Sequence, residues 1–491
     1  MTRRASCLRN AATGALLVLL APAMTTAADF TLVAVGDLVI SRPISMLQQP
    51  GAFDQSQRFA DTVALLKRSD VTYGNFETVI VDARHFAGAP YSWDGDWMLS
   101  STPQVAADLV AMHFNLVSRA NNHALDWGLE GARESDHWLA AAGLASAGMG
   151  ENAEQAATAR YYSTAKGQVA LVSMASTFRP TTEALPVSNA LPRGRPGING
   201  LKVTENFLLD EESFRQVAGM ACQFTGAAPC TTKALPASFD LFGAHIRRAV
   251  DGEEAFTHHY EMDGADLERI LRGVRAAKPA ARYLVVSIHA HEHSSDEDPP
   301  GTWEAPAAFL RTLAHRAIDE GADAFVTTGI HHVGGIELYR GKPIFYGLGN
   351  FIWSDIQLPL SADLYQGESN RNYLQQSFTH PEWATDADLT LLLNANSTFA
   401  TAGDKSLNRT FQGVLTRTLY DDATQRVKEI RLYPIDLGYG EKLTRSGIPR
   451  RAADPIANLV LDRIISLSGN SGLDIKKVTE DGYLIGVAEP R

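Results

Sequence analysis

An α/β sandwich on a largely parallel or mixed sheet is the fold class that this 491-residue chain predicts. Three observations predict it. Short β-branched and apolar runs of about strand length recur along the chain. Amphipathic stretches separate them, the alternation that layers helices against a sheet. Several runs stop abruptly at residues able to ligate a metal or move a proton, and packing alone seldom ends a buried strand that way.

Residues 1–28 stand apart from the fold. Arg3, Arg4 and Arg9 precede the apolar stretch Ala11 to Ala21, and Thr25-Thr26-Ala27-Ala28 supplies small residues for cleavage, the pattern of a secretory signal peptide. A retained anchor is the other reading, but the stretch is shorter than the roughly 20 residues of a bilayer span. The expectation is an exported protein, periplasmic or extracellular.

The predicted strands and helices then follow in order. Thr31 to Val35 leads into Gly36-Asp37, and the helical stretch Gln57 to Lys67 follows. Val71 to Tyr73 runs into Gly74-Asn75-Phe76-Glu77; a helix over Thr102 to Met112 has Thr102-Pro103 as its start signal. Phe114 to Val117 enters Ser118-Arg-Ala-Asn-Asn-His-Ala-Leu-Asp-Trp-Gly128, followed by a helix over Leu129 to Ala142. Val169 to Met174 is the next strand, and Asp263 to Asp266 starts a helix over Gly264 to Ala277. Tyr283 to Ile288 stops at His289, a helix covers Ala305 to Glu320, and Ala324 to Thr327 stops at Gly329 to His332.

A core domain over 29–353 is therefore expected, with two interruptions of the pattern. An inserted, loop-rich region spans about 180–255, and the polar segment 354–407 reads as a surface loop or lid. Gln412 to Leu419 and Val427 to Tyr433 flank a turn-like Asp421-Asp-Ala-Thr424, a β-hairpin within a β-rich segment 408–491 that completes the core.

Charge limits the partners. The formal charge is −12, and removing the leader takes away three arginines and no carboxylate, leaving −15. So acidic a protein does not bind nucleic acid through bulk electrostatics, and an anionic substrate must be held locally. Arg193 and Arg195 lie in a Pro- and Gly-rich loop, where solvated charge is the default reading. Cys7 leaves with the leader; Cys222 and Cys230 are close enough in sequence for a loop disulfide in an oxidising compartment.

The strand ends carry the chemistry. In a parallel sheet, residues after the carboxyl ends of the strands converge in one crevice, and Asp37, Glu77, Asn122, His123, His289 and His331 all hold such positions. Carboxylates, an amide oxygen and imidazoles form a mixed oxygen and nitrogen set suited to Mn, Fe or Zn rather than Ca or Mg. Two ions require a bridging carboxylate, and Asp37 and Glu77 are the candidates. His123 is placed to protonate a leaving group. In Ser287-Ile-His-Ala-His-Glu-His-Ser294, the alternating His289, His291 and His293 point one way if extended and Glu292 the other; His293, nearest the acidic run, reads as solvated.

These residues resemble a known family. Gly36-Asp37, Asn75-Phe-Glu77, Ala120-Asn-Asn-His-Ala-Leu-Asp-Trp-Gly128, His289 with Glu292, and Gly335 to Phe351 look like the CapA poly-γ-glutamate capsule synthesis proteins, which are similar to calcineurin-like metallophosphoesterases. The resemblance implies a four-layer α/β/β/α core and one or two divalent ions. Asp37, Glu77, Asn122, His289 and His331 become ligand positions and His123 the acid, with Asn121 and Asp126 orienting Asn122 and His123; Asn75, Glu292, His332 and Asn350 are supporting positions. This chain departs from the superfamily pattern in three places. Leu38-Val39 follow Asp37 in place of Asp-x-His, Thr328-Gly-Ile-His331-His332 leaves an imidazole position to Thr328 or His332, and His289-Ala-His291 offers His291 as a replacement ligand. In Gly347-Leu-Gly-Asn-Phe351, a glycine-rich turn with Asn350 bonding local backbone is the expected structure.

The function expected is that of an exported CapA-type hydrolase in polyanionic exopolymer synthesis. Its metal-bound hydroxide would attack a phosphoester or acyl/amide bond. The alternative is a non-catalytic accessory that binds nascent poly-γ-glutamate or a membrane synthase complex.

Overall fold

A computed structural model describes residues 1, 29–45, 57–90, 98–225, 237–293, 306–354, 409–439, 446–469 and 471–491. The expected leader, the Cys222–Cys230 pairing and the 354–407 segment beyond Ser354 lie outside the described residues.

Alternation along single strands builds the layers. On Phe30–Ile40, the residues Phe30, Leu32 and Ala34 point into one apolar cluster with Val71, Tyr73, Val169, Tyr283, Val285 and Val326, which belong to two different sheets. Val33 and Val35 point the other way, onto Phe59, Leu65, Val105 and Leu109 of helices Gln57–Leu66 and Gln104–Ala111. In the second sheet Tyr283 and Val285 face inward, while Leu284, Val286 and Ile288 pack on helices Gly264–Ala277 and Ala308–Asp319. Period-two strands with two apolar faces require cover on both sides, and the outcome is the expected α/β/β/α stack.

The first sheet runs Leu473–Glu480, Tyr483–Pro490, Val427–Asp436, Gln412–Tyr420, Phe30–Ile40, Val71–Phe76, Leu116–Ser118, Ala145–Ala147. Pairing is parallel from Phe30–Ile40 to Ala145–Ala147 and antiparallel on the C-terminal side. Asn350–Ser354 adds a parallel partner to the second half of Phe30–Ile40. The second sheet runs Ile336–Tyr339, Lys342–Phe345, Ala324–Thr328, Tyr283–His289, Gly167–Ala175, Arg160–Thr164, with its central pairs parallel. Asp263 caps its helix as the sequence predicts, accepting a hydrogen bond from Asp266 N at 2.8 Å. Pro103 starts its helix without a side-chain cap.

Two regions are more ordered than their sequence suggests. The insertion holds a four-stranded sheet ordered Ser238–Leu241, Ala244–Arg248, Val203–Leu209, His258–Met262, covered by helix Glu211–Thr225. Its small core of Leu208, Phe214 and Ile246 has too few apolar residues to register as periodicity. The C-terminal segment includes helix Asp454–Ser468, whose Val460, Leu461 and Ile464 enter the cluster between the sheets. Among the described residues no helix is long and apolar enough to cross a membrane.

Candidate metal centre

The parallel strands of both sheets end on the same side of the sandwich. Asp37 sits on its strand where pairing slips against both neighbours, between Ala34 and Asp37 on one side and at Asp37/Leu38 on the other. Such a bulge re-aims a side chain. Two glycines permit it: a Cβ on Gly36 would fall 1.7 Å from the Gly349 carbonyl oxygen, and Asp37 N–H donates to that same oxygen at 3.1 Å. This close approach accounts for the Gly347-Leu-Gly-Asn block. Asn350 does not bond local backbone: its Nδ2 donates to Thr410 O at 2.9 Å, and its Oδ1 lies 3.0 Å from His331 Nδ1.

Two overlapping ligand sets result. Asp37, Glu77 and His289 form one and Glu77, His291 and His331 the other, with donor atoms in each set within 4.8 Å of one another and Glu77 common to both. His331 Nδ1 lies 3.3 Å from Asp37 Oδ2, His289 Nε2 lies 3.8 Å from Glu77 Oε1, and His289 and His291 face each other through their Nε2 atoms at 3.1 Å. His331 holds a left-handed backbone with φ of 53°, an arrangement that costs a non-glycine residue energy and concentrates at functional sites. Gly329 N–H donates to Asp37 Oδ2 at 3.0 Å.

Asn75 organises the carboxylates. Its Oδ1 accepts from Ser118 Oγ at 2.8 Å and Asn121 Nδ2 at 3.3 Å, so its NH₂ must face the other way. That NH₂ donates to Asp37 Oδ1 at 2.8 Å and Glu77 Oε2 at 3.3 Å, with His289 Nδ1 at 3.1 Å. Ser118 Oγ is in turn 3.0 Å from the buried Tyr73 hydroxyl. Nothing local in the sequence points to Ser118 or Tyr73.

His123 is held at Nδ1 by Asp126 Oδ2, 2.7 Å away, and its backbone N–H donates to Asn121 Oδ1 at 3.1 Å. Asn122 is half-buried; its Oδ1 is inaccessible and has no hydrogen-bond partner among the described residues. Glu292 accepts from Ser176 Oγ at 2.7 Å and Thr177 Oγ1 at 3.1 Å, and so braces the segment carrying His291. His332 is directed elsewhere, its Nδ1 lying 3.3 Å from Val333 O. His293 is half-buried and pairs through its backbone with Pro306; Arg195 bonds Glu183 O at 2.8 Å.

The electrostatics are those of a site crowded with like groups. Burial alone would raise Asp37, but the hydrogen bond and charge of His331, with His289 and Asn75, hold its carboxyl well below the usual range. Burial, then the charge of Asp37, pushes Glu77 well above its ordinary value. Burial drives His289 down to about 3 and His291 also well below normal. Neutral imidazoles, clustered carboxylates and an unpartnered amide oxygen are the donor set a divalent cation requires. Asp37, Glu77, His289, His291 and His331 fit such an ion; Asn122 Oδ1 is buried and has no hydrogen-bond partner among the described residues.

Fold and site together define a four-layer α/β protein with a candidate metal centre at the strand ends. Residues 31–355 match the family described as bacterial capsule synthesis protein PGA_cap, and the chain belongs to that family. It is 36% identical over 455 residues to uncharacterized protein y4sH of Sinorhizobium fredii, covering 91% of each chain. PGA biosynthesis protein CapA of Bacillus subtilis is 22% identical over 335 residues, 68% of this chain and 66% of that one. A probable polyglutamine synthesis accessory protein of Mycobacterium tuberculosis is 26% identical over 297 residues, 60% of this chain and 59% of its own.

Proposed function

We propose that this chain is an exported metal-dependent hydrolase of capsule or exopolymer synthesis, cleaving a phosphoester or acyl/amide bond of a polyanionic substrate. The observation that carries the reading is the pair of ligand sets sharing Glu77. A divalent ion bound there supplies Lewis-acid neutralisation of charge building on the reacting group. Asp37, Glu77, His289, His291, His331 and Asn122 are the residues to hold it, and Asn75 fixes the two carboxylates before any ion binds. His123, its Nδ1 engaged by Asp126, keeps Nε2 for giving a proton to the leaving group. Periplasmic or extracellular location, and association with a membrane synthase, belong to the same reading.

Metal analysis of the protein, with hydrolysis of a generic phosphodiester and a γ-glutamyl peptide, tests it. One or two ions per chain and turnover that falls in His123→Ala are expected. A metal-free wild type, or turnover indifferent to His123→Ala, overturns it.

A second reading has its own support. Leu38 and Val39 stand where the superfamily's Asp-x-His would supply a further ligand, and both are buried apolar residues. A site short of one ligand suits an accessory that grips polymer without cutting it. Poly-γ-glutamate binding that survives combined Asp37→Ala and Asn122→Ala substitution favours that reading.

A further inference from the structure

Three residues just after strand Gly167–Ala175 reach both halves of the centre. Ser176 and Thr177 bond Glu292, and Thr177 Oγ1 also accepts from His291 N–H at 2.8 Å. Two residues later, the Arg179 guanidinium lies 3.2 Å from Asp126 Oδ1. Asp126 uses its other oxygen, Oδ2, to accept from His123 Nδ1 and from Leu99 N–H. The side chains of Asp126 and Arg179 are 0% and 9% exposed, so this ion pair is made inside the protein, between a loop of the first sheet and a strap of the second.

We propose that Arg179 is a positioning residue for His123, acting through Asp126. Removing the cation from a buried ion pair leaves an uncompensated charge, which is costly. The Arg179 charge lies 3.2 Å from Oδ1 as an ion pair without an aligned hydrogen bond, and it favours the orientation that keeps Oδ2 aimed at Nδ1. A carboxylate only accepts, so Nδ1 carries the proton and Nε2 is the nitrogen left to the site. His123 N–H donates to Asn121 Oδ1, and Asn121 Nδ2 donates to Asn75 Oδ1, which ties His123 to the amide that holds the carboxylates. The same strap thus sets His291 and His123 relative to each other although they come from different sheets.

The inference rests in part on the reading of His123 as proton donor, so its test has a readout that does not need turnover. The low-field proton of His123 Nδ1–H is recorded by NMR in the full chain, assigned by its loss in His123→Gln. It is then compared in Arg179→Lys and Arg179→Met, and Mn affinity is measured on each. Arg179→Met is expected to lose or shift that proton, Arg179→Lys to keep it, and Mn affinity to change less than about threefold in both. Where a substrate is turned over, kcat falls about 10- to 100-fold in Arg179→Met with KM little changed, the usual cost of losing an outer partner. An unaltered Nδ1 proton in Arg179→Met overturns the proposal. So does a loss of Mn affinity as large as in Asp37→Ala, which makes Arg179 a general support. If the wild type shows no turnover while the proton behaves as expected, the hydrolase reading falls and the positioning role stands.

Discussion

Two buried carboxylate sites at opposite ends of the sandwich are held in opposite ways. Where the second sheet's strands begin, Asp323 is 2% exposed and meets Lys278 Nζ at 2.6 Å, Lys342 Nζ at 2.5 Å and Leu284 N–H at 2.9 Å. The half-buried Asp70, just before Val71–Phe76, pairs with Lys166 at 2.8 Å. Where the strands finish, Asp37 and Glu77 are equally buried, yet among the described residues their ion-pair partners are His289 and His331, with no lysine or arginine. Asp323 is neutralised by the protein's own cations. The Asp37–Glu77 pair, with the histidines beside it, is compatible with a divalent ion from outside.

The largest expected effect tests that contrast directly. Asp37→Ala and Glu77→Ala should each lower Mn affinity by about 100-fold or more, since removing a ligand costs more than removing a group that only orients one. Asp323→Ala should leave metal content unchanged while lowering unfolding free energy by about 3 kcal/mol, the cost of breaking a buried pair. Elemental analysis and urea unfolding of the same three proteins separate the outcomes. Metal retained by Asp37→Ala would erase the distinction between the ends.

Asn75→Leu comes next. It removes the amide that bonds both carboxylates, and metal affinity measured by calorimetry should fall about 10- to 100-fold while circular dichroism is unchanged.

A pH effect on stability is smaller and carries a definite sign. Burial takes His332 from 6.5 to about 4, so between those values the unfolded chain holds a proton that the folded one does not. Stability is complete above the higher value and falls as pH drops toward the lower, by about 1.4 kcal/mol per pH unit for this one group. In chelator-treated protein, His332→Gln should remove that slope. Glu77→Gln should act with the opposite sign: the raised Glu77 makes wild type less stable as pH rises above the ordinary carboxylate value, and the amide abolishes that loss. Denaturant titrations across pH 4 to 8 read both.

Ser118→Ala should have the least effect. It takes one of two donors from Asn75 Oδ1 and leaves Asn121, which corresponds to about 1 kcal/mol and a few-fold in metal affinity. An effect as large as that of Asn75→Leu would show that Ser118, with Tyr73 behind it, sets the amide's orientation alone.

Much of the fold was legible because its signals are local. Val71, Tyr283 and Ala324 open strands at the positions read from the sequence, and helix Gly264–Ala277 has its expected bounds. Helix Asp454–Ser468 was legible in principle, with Asp454-Pro455 as a start and Ile456, Val460, Leu461 and Ile464 on one face, although its neighbours argue for strands. The insertion was not, because its core is too small for periodicity to show.

The sequence by itself determined which residue types arrive at the strand ends, since Gly36-Asp37, Asn75-Phe-Glu77 and Asn121-Asn-His123 each sit within a few residues of the end of an apolar run. Only the tertiary structure decided how they face one another. The sequence left two histidines open as the further imidazole; folding sets His291 with Glu77 and His331, and turns His332 to its own backbone. Asn75 meets His289 across 214 residues, and Arg179 meets Asp126 across the gap between two sheets. The physical reason is range: a strand's period is written in neighbouring residues, but the direction of a buried amide or carboxylate is set by partners that only packing brings near.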